Sequence, residues 1–208
     1  FYKDLEFGTG GLRGVIGAGT NRMNIYTVRK ATQGLANFIK KQGGEKKGVA
    51  IAYDSRFMSP EFADVAALCL AASGIKAYVF DELRPTPELS FALRTLGCIS
   101  GIVVTASHNP PEYNGYKVYW EAGAQLPPAG ADVVAQEMAA TDLFGGVRIG
   151  DFDAFIEYGM ITMLDKVTDE AYLKEVLAVA VNPDCVKQVA HDFKLVYTPF
   201  HGAGYRLV

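Results

Sequence analysis

Residues 49–80, VAIAYDSRFMSPEFADVAALCLAASGIKAYVF, spell out one strand-helix-strand unit in the order a parallel sheet requires. Val49 to Tyr53 is a short apolar run that ends in the polar turn Asp54-Ser-Arg56, as a buried strand does where it leaves the sheet. Ser59-Pro-Glu61 then opens a helix, with Ser59 as N-cap and Pro60 at the first helical position. The apolar pattern runs to Ala72, Ser73-Gly74 stops it, and Ala77 to Phe80 is the next strand. Thr86-Pro-Glu88 repeats the helix start, for a helix to about Leu96, and Cys98 to Val104 is a third strand. Upstream, apolar residues at 28, 31, 35, 38 and 39 give Ile25 to Lys41 a helical period that closes at Gln42-Gly-Gly44. Strands and helices alternating at this spacing predict an α/β fold of βαβ units with a largely parallel sheet.

The third strand runs into Thr105-Ala-Ser-His-Asn-Pro-Pro-Glu-Tyr-Asn-Gly-Tyr-Lys117. A polar loop at the carboxyl edge of an α/β sheet is where ligands tend to bind. It is equally what an ordinary turn looks like, with Ser107 and Asn109 bonding backbone groups and Pro110 ending the strand. His108 follows Ser107 directly, and a neighbour in sequence ordinarily points elsewhere, so adjacency does not make it a base for the serine. Gly115 to Trp120 alternates, with Tyr116, Val118 and Trp120 on one face and Lys117 and Tyr119 on the other. This predicts a fourth strand, paired antiparallel with its predecessor across the loop.

Residues 129–181 carry mostly helical patterns, interrupted at Gly145-Gly146 and Gly150. Leu195 to Tyr197 reads as a new strand, which puts a domain boundary near residue 190: residues 1–190 as one domain and 191–208 as the start of a second. The chain opens at Phe1 and ends just after a second Gly-rich turn, so a piece of a longer protein is expected.

With 208 residues, half of them hydrophobic, and a formal net charge of -3, the chain can bury a core and offers no basic stripe for nucleic acid. No apolar run approaches the roughly 20 residues of a membrane-spanning helix, so no membrane partner is expected. Cys69, Cys98 and Cys185 are widely separated, without a Cys-x-x-Cys pair. They are expected to be buried, reduced thiols of a cytoplasmic protein.

Near the start, Phe7-Gly-Thr-Gly-Gly-Leu-Arg-Gly14 forms a glycine-dense loop. It does not spell Gly-x-Gly-x-x-Gly, and no Gly-Lys-Ser or Gly-Lys-Thr follows, so no nucleotide site is predicted. The glycines instead are expected to let the backbone approach the Ser107 loop, with Thr9 adding a hydroxyl. Gly150-Asp-Phe-Asp-Ala154 is expected to be a solvated loop, and His201 a turn residue.

The intact string Thr105-Ala-Ser-His-Asn-Pro110 closely resembles the active-site loop of the α-D-phosphohexomutase family, the phosphoglucomutase and phosphomannomutase enzymes. Asn114-Gly-Tyr-Lys117 matches the motif's continuation, and Phe7 to Gly14 resembles the family's N-terminal loop. The extended stretch 114–120, with Gly123-Ala-Gln125, looks most like the branch containing phosphoglucomutase-2-like proteins. The resemblance implies a three-layer α/β/α domain with a mixed, mainly parallel sheet, the first of four domains around a cleft. It implies that Ser107 carries a phosphoryl group, gives it to a sugar phosphate and recovers the other phosphoryl from a hexose 1,6-bisphosphate intermediate, interconverting glucose 1-phosphate and glucose 6-phosphate. Phosphomannomutase or phosphopentomutase activity is the near alternative, and a non-catalytic sugar-phosphate-binding relative the distant one. A serine hydrolase would need Gly-x-Ser-x-Gly, which is not the context of Ser107.

Arg13 and Lys117 match family positions for charge stabilisation and proton transfer. A guanidinium keeps its proton, so Arg13 stabilises charge; a shielded Lys beside another cation can lose one, so Lys117 is the general-base candidate. His108 and Asn109 match family residues that line the same loop, and Thr9 is expected to support the substrate or the loop with its hydroxyl. Arg56, in an Asp-x-Arg turn, either supports the serine loop or forms a structural ion pair with Asp54. Mg²⁺ is implied, with a phosphoryl oxygen on Ser107 as one ligand and its carboxylate ligands outside this chain. The expected partners are therefore a sugar phosphate and the remaining domains, and the 208 residues alone are expected to be inactive.

Overall fold

A computed structural model describes residues 3–208. In chain order the elements are β1 (Gly11–Val15), α1 (Ile25–Lys41), β2 (Val49–Tyr53), α2 (Ser59–Ala72), β3 (Ala77–Phe80), α3 (Thr86–Thr95), β4 (Ser100–Val104), β5 (Tyr113–Trp120), α4 (Pro128–Ala140), α5 (Phe152–Glu157), β6 (Ile161–Leu164), α6 (Lys166–Ala178) and α7 (Asp184–Val189). The strands form one sheet in the order β1-β5-β4-β2-β3-β6. The ladders β4-β2, β2-β3 and β3-β6 are parallel; β1-β5 and β5-β4 are antiparallel. The sheet is thus mixed and mainly parallel, as expected, with the β4-β5 hairpin spanning the serine loop.

Strand alternation sorts side chains onto two faces. Val49, Ile51 and Tyr53 of β2, with Ile102 and Val104 of β4, join α1, α2 and α4 in one apolar cluster. Ala50 and Ala52, with Val103, join Leu89, Ala92 and Leu93 of α3 in the other. Helix α6 sits against α3, where Phe91 and Tyr172 place their rings 5.6 Å apart. Helices on both faces of the sheet give the three layers that a strand buried on both sides demands.

Several local expectations are corrected. The glycine-dense segment is not all loop: residues 11–15 are β1, paired antiparallel with β5. A Cβ on Gly11 would lie 2.0 Å from the Tyr116 carbonyl oxygen, so the glycine's close approach is to β5 and not to the serine loop. The expected helical region 129–181 hides β6, four residues that gain strand structure from the parallel edge of β3. Ser59 and Thr86 lie inside their helices, and the N-caps are Met58 and Pro85; the Ser59 hydroxyl is spent on Asp54. Leu195 to Tyr197 is not a strand; its residues are exposed and no ladder offers a partner. Gly150 to Ala154 is a helix start, where Asp151 accepts from the Ala154 amide and caps α5. Cys69 and Cys98 are buried, but Cys185 is exposed on the short α7.

Candidate active site

Tyr53 and Val104 end adjacent parallel strands, so the Asp54 turn and the Ser107 loop leave the sheet side by side at its carboxyl edge. Asp54 N donates to the Val104 carbonyl, which ties the two exits together. They line a cleft of about 650 Å³ with Arg56, Asn109, Arg84 and His201 among its walls.

Ser107 is exposed and left-handed, with φ 58°. A non-glycine residue in that region costs about 1–2 kcal/mol, so the conformation persists only because neighbours hold it. Two sets of bonds do so. The Ser107 amide donates to Thr105 Oγ1 at 2.9 Å, and that hydroxyl donates to Asp54 Oδ2 at 2.6 Å. Arg56 reaches over the loop and donates to four carbonyls: Ser107 (2.8 Å), Asn109 (2.7 Å), Pro110 (2.9 Å) and Tyr113 (3.1 Å). Its Nε also lies 3.3 Å from Asp54 Oδ2, so loop support and ion pair, alternatives on the sequence alone, coexist. Below the loop, Asn114 Nδ2 donates to Ser59 Oγ, which donates to Asp54 Oδ1. Gly115 lets β5 pass under the loop: a Cβ there would meet the Thr105 carbonyl oxygen at 2.5 Å.

With Ser107 left-handed, its Oγ lies 3.3 Å from His108 Nδ1. The two neighbours therefore face each other, contrary to the expectation from ordinary extended backbone. Asn109 is half-buried, and its Oδ1 accepts from Arg13 at 3.1 Å. That bond joins the serine loop to β1.

Arg13 and Lys117 are diagonal neighbours across the β1-β5 pair, where Arg13 faces Gly115 and Lys117 faces Gly11. Tyr116, fully buried and accepting from Thr32 Oγ1, turns inward, which sends Lys117 to the opposite face. Both cations line a smaller pocket of about 360 Å³ with Thr9 and Gln125. Lys117 is half-buried and makes no ion pair or side-chain hydrogen bond among the described residues. Burial pulls its pKa down, the Arg13 cation pulls it further, and Asp54 opposes them. A shielded amine beside a guanidinium, without a counter-ion, is a place for an anionic ligand or for a proton acceptor. No hydrogen bond links Lys117 to Ser107; the Arg13–Asn109 contact is what connects the two pockets.

Sequence reasoning missed a buried ionic cluster behind the cleft. Arg84, 1% exposed, holds Asp169 of α6 with two bonds, Nε–Oδ1 at 2.6 Å and Nη2–Oδ2 at 3.0 Å, and reaches Asp81 at 3.0 Å. Glu88 is fully buried with neither carboxyl oxygen hydrogen-bonded, 3.9 Å from Arg84 Nε. Burial and the neighbouring Asp169 push its pKa up to about 8. The sequence shows only an Arg and a Glu four positions apart after a strand, and the partner of Arg84 lies 85 residues away. At the other wall, Ser55 donates to the His201 carbonyl, and Tyr205 and Arg206 both reach Glu82 at 2.5 Å.

Among the described residues no three His, Cys, Asp or Glu side chains come together as a metal-ligand set. No helix of the described residues is long and apolar enough to cross a membrane.

Residues 4–144 match the family described as phosphoglucomutase/phosphomannomutase, alpha/beta/alpha domain I. The chain is 40% identical over 204 residues to a phosphoglucomutase of Staphylococcus saprophyticus, covering 98% of this chain and 36% of that protein. It is 37% identical over 214 residues to a Schizosaccharomyces pombe protein named "Probable phosphoribomutase", covering 98% and 35%. Its fold matches a phosphoglucomutase/phosphomannomutase family protein from Burkholderia thailandensis with a TM-score of 0.64 and 26% identity, over 83% of this chain and 35% of that one. The chain thus spans little more than a third of the length of these relatives. A left-handed serine at the sheet's carboxyl edge, the three-layer mixed sheet behind it and the matched residues 4–144 agree: the chain belongs to the phosphoglucomutase/phosphomannomutase family and carries its domain I.

Proposed function

We propose that this chain is the phosphoserine domain of a sugar-phosphate mutase, with Ser107 as the phosphoryl carrier. The observation that carries the reading is the exposed, left-handed Ser107, braced by Arg56 at four carbonyls and linked through Asn109 to Arg13. A phosphoryl group in transfer spreads negative charge over its oxygens, and catalysis is mainly positioning and charge stabilisation. Arg13 supplies fixed positive charge. Lys117, whose pKa is lowered, takes the proton of the attacking sugar hydroxyl and returns it in the reverse direction. His108 and Asn109 contact the phosphoryl group or the sugar, Arg56 holds the loop, and Thr9 lines the pocket of the two cations.

The phosphoryl passes from Ser107 Oγ to the free hydroxyl of a hexose monophosphate, giving the 1,6-bisphosphate, and the other phosphoryl returns to the same oxygen. Glucose 1-phosphate and glucose 6-phosphate are the proposed pair, supported by the phosphoglucomutase relatives; the relative named as a phosphoribomutase makes pentose phosphates the second reading. Mg²⁺ belongs to a larger site than this chain forms, which offers it a phosphoryl oxygen on Ser107 and no more. A cytoplasmic setting fits the two buried thiols. We place a domain boundary near residue 190, beyond which Phe193, Leu195, Val196 and Phe200 expose apolar side chains that a following domain would cover.

The test uses the full-length protein that carries this chain, assayed with glucose 1-phosphate, ribose 1-phosphate and mannose 1-phosphate, with Mg²⁺ and a bisphosphate activator. Ser107→Ala is expected to lose at least about 1,000-fold in kcat, and intact mass is expected to show one phosphoryl group on the wild type and none on the variant. An unchanged rate in Ser107→Ala would sink the reading.

A further inference from the structure

The left-handed backbone of Ser107 is held by two sets of bonds, and the four Arg56 contacts are only one of them. Those contacts all end on carbonyl oxygens, so they hold the loop's acceptors, while its amides find partners within the loop, Asn109 N on the Ala106 carbonyl and Tyr113 N on the Pro110 carbonyl. The Ser107 amide has one acceptor, the Thr105 hydroxyl two residues upstream. A hydroxyl accepting from that amide can donate its own proton once, and it does so to Asp54 Oδ2. Asp54 is in turn held in place: its Oδ1 accepts from Ser59 Oγ at 2.7 Å and from the Arg56 amide at 3.0 Å. Thr105 is buried, so water does not readily replace either bond.

Resting on the phosphoserine reading, we propose that Asp54, acting through the Thr105 hydroxyl, is a positioning residue that locks Ser107 in its left-handed conformation and so aims Oγ for phosphoryl transfer. The carboxylate orients the hydroxyl proton toward itself, which leaves the lone pairs of Oγ1 directed at the Ser107 amide. Neither residue touches a reacting atom. The chain of bonds also couples the two strand exits, since Asp54 follows β2 and Thr105 follows β4.

Thr105→Val keeps the side chain's shape and removes the hydroxyl; Thr105→Ser keeps the hydroxyl. In the full-length protein, amide exchange is expected to quicken at least tenfold at Ser107 in Thr105→Val, with Val103 unchanged and Thr105→Ser close to wild type. Asp54→Asn, a second variant should the valine fail to fold, is expected to show the same effect more weakly. In the full-length protein, Thr105→Val is expected to lower kcat at least tenfold with KM for the sugar phosphate within about twofold, and Thr105→Ser to restore most of the rate. Unaltered exchange at Ser107 in Thr105→Val overturns the lock whatever the activity. Altered exchange in a protein whose Ser107 never carries phosphate overturns the phosphoserine reading and leaves the lock standing. An effect in Thr105→Val with none in Asp54→Asn removes Asp54 from the proposal.

Discussion

Lys117 shows how far one residue's chemistry is set by where its strand runs. The alternation of residues 115–120 fixes its face, and the Arg13 cation, two residues off in register on β1, sets its charge environment. Burial disfavours the ammonium and Arg13 disfavours it further, so Lys117 is expected to lose its proton at lower pH than the surface lysines. Arg13→Gln removes the second cause and moves the titration upward; NMR of the lysine side-chain nitrogens reads both. Co-titration of Lys117 with Lys40 or Lys46 would remove its candidacy as a base. At this scale the sequence singled out Ser107, Arg13, Arg56 and Lys117, because they stand in strings whose order is specific. The backbone state of Ser107 was not legible, since a left-handed serine depends on Thr105 and Asp54, one local and the other 53 positions upstream.

Elements with strong periodicity, α1, β2, β3 and β4, were readable to within a residue or two because each carries its own apolar pattern. β1 and β6 were not, since both are edge strands defined by the partner they meet: a glycine-rich segment against β5, and four residues against β3. The same dependence on a distant partner holds α6 to α3. Its anchor is Asp169 on Arg84, with the unpartnered Glu88 beside them and Asp81 and Tyr172 closing the cluster. Glu88 has its pKa raised, from 4.5 to about 8, so the folded state binds its proton more tightly than the unfolded state. Its contribution to stability is therefore full below pH 4.5 and is lost as the pH rises toward 8. Glu88→Gln is expected to flatten that decline, as measured by urea melts between about pH 5 and 8.5. An undiminished slope would show that Glu88 is not the group responsible.

Across the whole molecule the three thiols report on the fold. Burial pushes Cys69 and Cys98 up to about 12, while Cys185 is exposed. One equivalent of thiol is expected to react rapidly with an aromatic disulfide at about pH 8, and three in denaturant. Two fast equivalents in the native state would show that a core face is open. The βαβ pattern sufficed to predict an α/β fold with a largely parallel sheet, and the layered architecture came from the family resemblance, whereas the absence of a strand at 195–197 could not be foreseen, because an apolar run becomes a strand only beside a partner. The strand order has a further consequence, for biosynthesis. β1 is made first yet pairs only with β5, so Arg13 waits for about 100 more residues before Lys117 exists to sit beside it. At roughly 5–20 residues per second that is on the order of 5–20 s of ribosome time, during which the glycine-rich N-terminal segment is without its strand partner and the nascent chain is open to holding by chaperones.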